Sequence, residues 1–200
     1  MGAASGRRTD KRELISQAAV QVFAEKGFHQ ARVSDIARRA GVADGTIYLY
    51  FKNKEDLLLN IFEESMDVML RDLSAAMEGS TDPLDRIRRF ARYHLMQVRD
   101  HQALAEVLQV ELRLSTKFLK DYRPEKLWAY LEVFRELIRD GQAAGSIRED
   151  VDPFVTSWAF FGSLDQLAMQ WVLTGPKVRF TLDTAAAQVA DVFIRGVQTS

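Results

Sequence analysis

The sequence predicts an all-α protein: an N-terminal three-helix helix-turn-helix unit followed by a C-terminal helical bundle, about nine helices together. Three observations predict this. Apolar residues recur at i, i+3 and i+4 along nearly the whole chain, the period of an amphipathic helix. Start and stop signals such as Thr81-Asp82-Pro83, Gly27, Gly79 and Gly145 punctuate those stripes. The 200 residues suffice for a head of about fifty residues and one further helical domain. The expected boundary puts a head at 1–54 and a body at 55–200.

Taken in order, the first helix is expected from Asp10 to Lys26, with Leu14, Ile15, Ala18, Ala19, Val22 and Phe23 as its stripe and Gly27 as its stop. Met1 to Gly6 reads as a disordered tip. Helices two and three lie in the stretch from Ala31 to Leu58. Val33, Ile36 and Ala37 share one face of helix two, Ala40-Gly41-Val42 supplies the turn, and helix three begins near Asp44 with Ile47 and Phe51 facing the core. Phe23, Phe28, Val33, Ile36, Ile47 and Phe51 form the expected core of the head. Helix four follows its cap Asn53, with Asp56 at its third position, and runs without a break to Gly79 through Leu57, Leu58, Ile61, Phe62, Met66, Met69 and Leu73. Helix five starts at Pro83 and extends to about His101. Helix six spans Ala103 to Arg113, a polar patch follows at Ser115-Thr116-Lys117, and helix seven opens near Pro124 and stops at Gly145. Helix eight, Pro153 to Leu173, is apolar on nearly every side and must be covered from more than one direction. Helix nine, about Leu182 to Val197, carries small residues that let another helix approach.

Charge separates the two parts. Residues 1–54 hold ten Lys plus Arg against five Asp plus Glu, a net +5, whereas the remainder holds 17 against 23, a net −6. A basic head attracts a polyanion, and Arg7, Arg8, Lys11 and Arg12 extend it as an arm toward phosphates or a minor groove, unless they are only a solvated terminus. Small residues at the start of helix three, Gly45 and Thr46, let its backbone come near base edges and phosphates. Tyr48 and Tyr50 carry hydroxyls for phosphate oxygens, and Lys52 and Lys54 add charge. Arg32, Ser34, Ala43 and Asp44 complete the expected DNA-facing set.

The run Gly27-Phe28, Val33, Ile36-Ala37, Ala40-Gly41-Val42, Gly45-Thr46-Ile47-Tyr48, Tyr50-Phe51, Lys54-Glu55 and Leu57 resembles the DNA-binding signature of the TetR family of transcriptional regulators. Two positions depart from the pattern: Arg32 stands where the family often has a capping Thr, and Ala43 where it often has a capping Ser. Capping must therefore shift to neighbours such as Asp35 or Asp44. The resemblance implies a homodimer reading a palindromic double-stranded operator, its half-sites spaced by roughly one helical turn, about 34 to 36 Å, or a little more. The paired surface is expected on helices eight and nine, at Phe154, Trp158, Phe161, Leu164, Leu167, Trp171, Leu182, Ala186, Val189 and Phe193.

No catalytic constellation is visible, and neither a catalytic residue nor a metal ligand is assigned. His94 and His101 lack a carboxylate at ligand spacing, and Glu106 and Glu111, five apart, do not sit side by side on a helix. The chain has no cysteine, and no apolar run approaches the roughly 18 residues of a membrane span, so a cytoplasmic protein without membrane association is expected. Helices five to seven combine an arginine-rich wall with apolar positions, a pattern suited to an anionic amphiphile, although the arginines also fit a solvated face. The expected ligand set is Arg86, Arg89, Phe90, Tyr93, Leu104, Leu108, Leu112, Arg113, Arg123, Leu131, Phe134 and Phe161.

A closer resemblance joins GVADGTIYLYFKNKEDLL, Leu104-Ala105, Val107, Gln109-Val110-Glu111-Leu112-Arg113, Ser115, Phe161-Gly162, Asp165 and Trp171-Val172 to the FadR-type fatty-acid-degradation regulators of the family. It implies repression of fatty-acid degradation genes relieved by long-chain acyl-CoA, an effector rather than a cofactor. Alternatives are a drug-efflux repressor, using acids such as Glu106, Glu111 or Asp165 against lipophilic cations, or a DNA-binding protein with no ligand.

Overall fold

The computed structural model describes residues 2–114 and 122–199, with the side chains of 2–10, 114 and 176 outside the description. The polar patch at Ser115-Thr116-Lys117 therefore lies outside it, as do the side chains of Arg7 and Arg8. Among the described residues the fold is helical, with no strand and one isolated bridge between Ile147 and Gln198. The α-helices are α1 (Gly2–Lys26), α2 (Val33–Ala40), α3 (Asp44–Ile47), α4 (Lys54–Met77), α5 (Pro83–Asp100), α6 (Gln102–Glu106), α7 (Glu125–Ala143), α8 (Pro153–Thr174) and α9 (Leu182–Val197). The first helix reaches back to Gly2, so the segment read as a disordered tip is helical from its second residue.

Capping follows the local chemistry of the sequence. Asn53 Oδ1 accepts from the Asp56 N–H at 2.8 Å and starts α4, while the Asp56 carboxylate accepts from the Lys52 N–H at 2.9 Å. Asp82 accepts from the Leu84 N–H at 3.0 Å with Pro83 next in the chain, and Asp152 accepts from the Phe154 and Val155 N–H groups before α8. Thr181 performs the same task for α9 through the Thr184 N–H.

The chain packs as two compact units, residues 1–65 with 103–123 and residues 66–102 with 124–200. This does not follow the single cut expected after Lys54. The stripe of α4 runs unbroken past Ser65, so no local signal marks a boundary there, and the segment after α5 packs with α1.

In the first unit, Ile15, Ala19, Val22 and Phe23 of α1 close over Phe28, Ile36, Ile47, Phe51, Leu57 and Leu58. Phe23 and Phe28 meet edge to face at 5.3 Å. Val33 and Leu14, expected inside, are not buried: Val33 opens α2 and is half-covered, and Leu14 remains exposed. The expected sixth helix is also broken. Its α-helical part ends at Glu106, a π turn spans Val107–Glu111, and a 3-10 turn follows at Leu112–Leu114.

In the second unit α5 packs against α7, α8 and α9. Its centre is aromatic: Phe134 stacks on Phe160 at 4.1 Å, Phe90 lies 4.9 Å from Tyr130, and Phe193 meets Phe160 edge to face at 5.0 Å. Gly141 has a packing reason, since a Cβ there would stand 2.4 Å from the Ile147 Cδ1.

Candidate nucleic-acid interface and ligand region

The α2–turn–α3 hairpin begins at Arg32, which offers no acceptor to the first turn. The Asp35 carboxylate reaches back instead and accepts from the Arg32 N–H at 3.2 Å, so the cap has moved to Asp35. Lys26 holds the same carboxylate at 3.0 Å, and that bond, with the Arg32 N–H, keeps the Asp35 pKa below the usual range. At the far end Gly41 takes φ 67°, and the Val42 N–H returns to the Ala37 carbonyl at 3.0 Å. That left-handed residue turns the chain, and a side chain there would be strained.

The recognition segment is shorter as a helix than its spacing suggests. α3 stops at Ile47, and Leu49, Tyr50 and Phe51 continue as turns bonded to Thr46 and Ile47 carbonyls. Its two faces are nonetheless separated, with Ile47 and Phe51 in the core and Ala43, Asp44, Gly45 and Tyr48 outside, Tyr48 at 58% exposure. Ser34, Thr46 and Tyr50 are half-open, and Arg32 and Lys52 are exposed. Leu49, at 72%, is a bulky exposed residue in this segment that the sequence reading did not single out.

The basic residues of the head divide by their partners. Arg39 grips the Glu25 carboxylate through two 2.6 Å bonds, which lower the Glu25 pKa, and so ties α2 to α1. Arg12 sits 3.5 Å from Glu64 and 5.3 Å from the Phe51 ring centroid, while Lys11 is exposed. Lys54 turns inward: its ammonium donates to the carbonyls of Phe28, His29 and Ala31 and lies 4.5 Å from the Phe28 ring centroid. Its charge, expected beside the DNA strand, is engaged in bracing the Phe28 turn.

The expected ligand residues divide between the units. In the second, Phe90, Leu131 and Phe134 are closed inside the aromatic centre, with Phe161 half-buried beside them. The arginines of α5 are largely paired: Arg89 with Asp85 at 2.7 Å and the Glu78 carbonyl at 3.2 Å, Arg86 with Asp140 at 3.5 Å, and Arg99 with Asp100 and Asp183. Most of that wall is an ion-paired helix face. Two polar atoms stand out: the Tyr93 hydroxyl and the Arg86 Nε are buried with no hydrogen-bond partner. Burial pushes the Tyr93 phenol well up, helped by the Asp72 charge. Next to it His94 Nδ1 meets the buried Tyr130 hydroxyl at 3.0 Å, and desolvation drives its pKa down to about 4 against the pull of Asp165. His94 is therefore a neutral core residue, and no group of described residues gathers metal-ligand side chains.

In the first unit Leu104 and Leu108 are half-open, Leu112 is buried, and Arg113 bonds the Gln109 side chain at 3.1 Å. Arg123 is exposed.

The apolar surface of α8 and α9 is narrower than the sequence pattern implies. Leu164, Leu182 and Ala186, expected on the paired surface, are buried in their own unit, because Phe160, Leu164 and Ala168 form the inner stripe of α8 and Leu182, Ala186 and Ala190 that of α9. Phe161, Leu167, Trp171, Val189 and Phe193 are half-covered. Phe154 and Trp158 stay open, and Val155 at 64% and Val192 at 67% join them from outside the set expected on the paired surface.

A buried scaffold of α1 and α2, a left-handed glycine between two helices, and a small-residue helix start on the exposed side define a helix-turn-helix DNA-binding regulator. The family models agree: residues 15–61 match "Bacterial regulatory proteins, tetR family" and residues 62–196 match "YsiA-like protein, C-terminal region". The chain belongs to the TetR family of transcriptional regulators. It is 34% identical over 183 residues to the fatty acid metabolism regulator protein of Bacillus subtilis, covering 92% of this chain and 93% of that one. Two solved structures align over nearly the full length. The fatty acid degradation regulator FadR of Bacillus halodurans has a TM-score of 0.86 at 37% identity, covering 93% and 95% of the two chains. FadR of Bacillus subtilis in complex with stearoyl-CoA has a TM-score of 0.85 at 34% identity, covering 92% and 98%.

Proposed function

We propose that this protein is a repressor of fatty-acid degradation genes that binds a palindromic operator as a homodimer and is released by long-chain acyl-CoA. The observation that carries the reading is its full-length likeness to a regulator solved with stearoyl-CoA, in body as well as head. Arg32, Ser34, Ala43, Asp44, Gly45, Thr46, Tyr48, Tyr50 and Lys52 are the proposed DNA-facing residues; Lys54 contributes by bracing the turn behind them. Phe154, Val155, Trp158 and Val192 are the proposed centre of the two-fold surface, being large apolar groups left open on α8 and α9. Among the described residues no helix is long and apolar enough to cross a membrane; the proposed role is gene regulation in the cytoplasm rather than catalysis, as in the regulators it resembles.

The effector acts by population shift, binding the released conformation more tightly than the DNA-bound one. A 100-fold loss of operator affinity needs about 2.8 kcal/mol of such preference. The efflux-repressor alternative has less support: of the three acids it could use, Glu106, Glu111 and Asp165, the Glu111 carboxylate is bonded to the Phe28 N–H. Native mass spectrometry of the purified protein tests both halves of the reading together. A dimer mass carrying retained or added stearoyl-CoA is expected; a monomer, or a dimer that ignores acyl-CoA, refutes the corresponding half.

A further inference from the structure

Gly27 ends α1 in the left-handed region at φ 73°, its N–H bonded to the Phe23 carbonyl at 2.8 Å. The next peptide, at Phe28, is gripped on both sides. Its carbonyl accepts from the Lys54 ammonium, and its N–H donates to the Glu111 Oε2 at 2.8 Å across 83 positions of sequence. The other Glu111 oxygen stands 3.5 Å from where a Gly27 Cβ would be, so the carboxylate is seated against the turn itself. A bond from a carboxylate to a backbone N–H is roughly twice as strong as a neutral one.

Glu111 is also the last residue of the π turn Val107–Glu111. Such a turn holds one residue more than an α turn. Tightening it would re-aim the turn's own last residue by up to about 100°, one residue's share of a 3.6-residue turn, and so draw the Glu111 carboxylate off the Phe28 N–H. Leu104, Leu108 and Leu112 belong to the same segment, half-open, half-open and buried, and are within the set expected to meet the acyl chain.

We infer that Glu111 is a positioning residue: its bond to the Phe28 N–H holds the α1–α2 corner of the reading head in its DNA-binding pose, and the π turn releases that bond when effector engages residues 104–112. The inference rests on the acyl-CoA reading for its trigger but not for the latch. The test compares E111A, which removes the acceptor, with E111Q, which keeps one. Operator affinity is measured by fluorescence anisotropy with and without saturating stearoyl-CoA, on a duplex selected by the wild-type protein from a random pool. E111A is expected to bind operator at least tenfold more weakly than wild type without effector and to lose most of its response to stearoyl-CoA, with E111Q restoring much of both. Wild-type affinity and a full response in E111A overturn the latch. Wild-type protein indifferent to stearoyl-CoA, with E111A still weakened and E111Q restored, overturns the acyl-CoA reading and leaves the latch standing.

Discussion

Gly41 and Gly45 are four residues apart, both exposed, and neither would place a Cβ within 4 Å of anything outside its chain neighbours. They differ in backbone: Gly41 has φ 67°, whereas Gly45 has no positive φ and lies inside α3. Alanine should therefore separate their roles. At Gly41 it meets the left-handed penalty of about 1 to 2 kcal/mol with no contact to relieve, so G41A lowers folding stability by about that amount. At Gly45 it stiffens the chain in a helical conformation, so G45A leaves stability unchanged or raises it by up to about 1 kcal/mol. If the α3 backbone approaches DNA closely, the same methyl group is an overpacking defect worth about 1 to 3 kcal/mol at the interface. G45A should then bind operator about 5- to 150-fold more weakly although it is no less stable. Urea denaturation gives the first quantity and fluorescence anisotropy on a selected operator duplex the second. A G45A protein with wild-type operator affinity would refute the claim that small size at residue 45 admits the DNA.

Further predictions concern the second unit. Because burial lowers the folded-state pKa of His94 from 6.5 to about 4, the unfolded chain takes up a proton first as pH falls. Its contribution to stability is fully present above pH 6.5 and is lost toward pH 4, up to about 3 kcal/mol at roughly 1.4 kcal/mol per pH unit. The difference in unfolding free energy between wild type and H94Q, followed by denaturation from pH 7 to pH 4, should shrink by that order; a constant difference would remove the explanation. G141A should destabilise by about 1 to 2 kcal/mol, since its Cβ would lie 2.4 and 2.6 Å from the Ile147 Cδ1 and Cγ1, a larger penalty than the helix-propensity gain of about 1 kcal/mol. Adding I147A should make the glycine-to-alanine change nearly neutral or favourable in a double-mutant cycle, and the absence of coupling would show that the contact is not the cause.

Periodicity and capping made most of the helices among the described residues, and most of the head, legible in the sequence. Ile36, Ile47 and Phe51 face inward as their spacing predicts, and Asn53, Pro83 and Gly41 carry their local roles in their own chemistry. The family, too, was written in short-range order: a run of about thirty residues whose sizes and turns suit DNA, later matched by the family models. Only tertiary structure decided which members of an all-round apolar helix are inside. Leu164 and Phe154 look alike in α8, but one is sealed by neighbouring helices and the other is left open. Tertiary contact also turned Lys54 inward and brought Glu111 to Phe28, because a hydrogen bond across 83 positions depends on how distant segments meet and leaves no period in the chain. Local order is set by torsions and nearest neighbours, which sequence spells directly; partnership between remote polar groups is set by packing, which it does not.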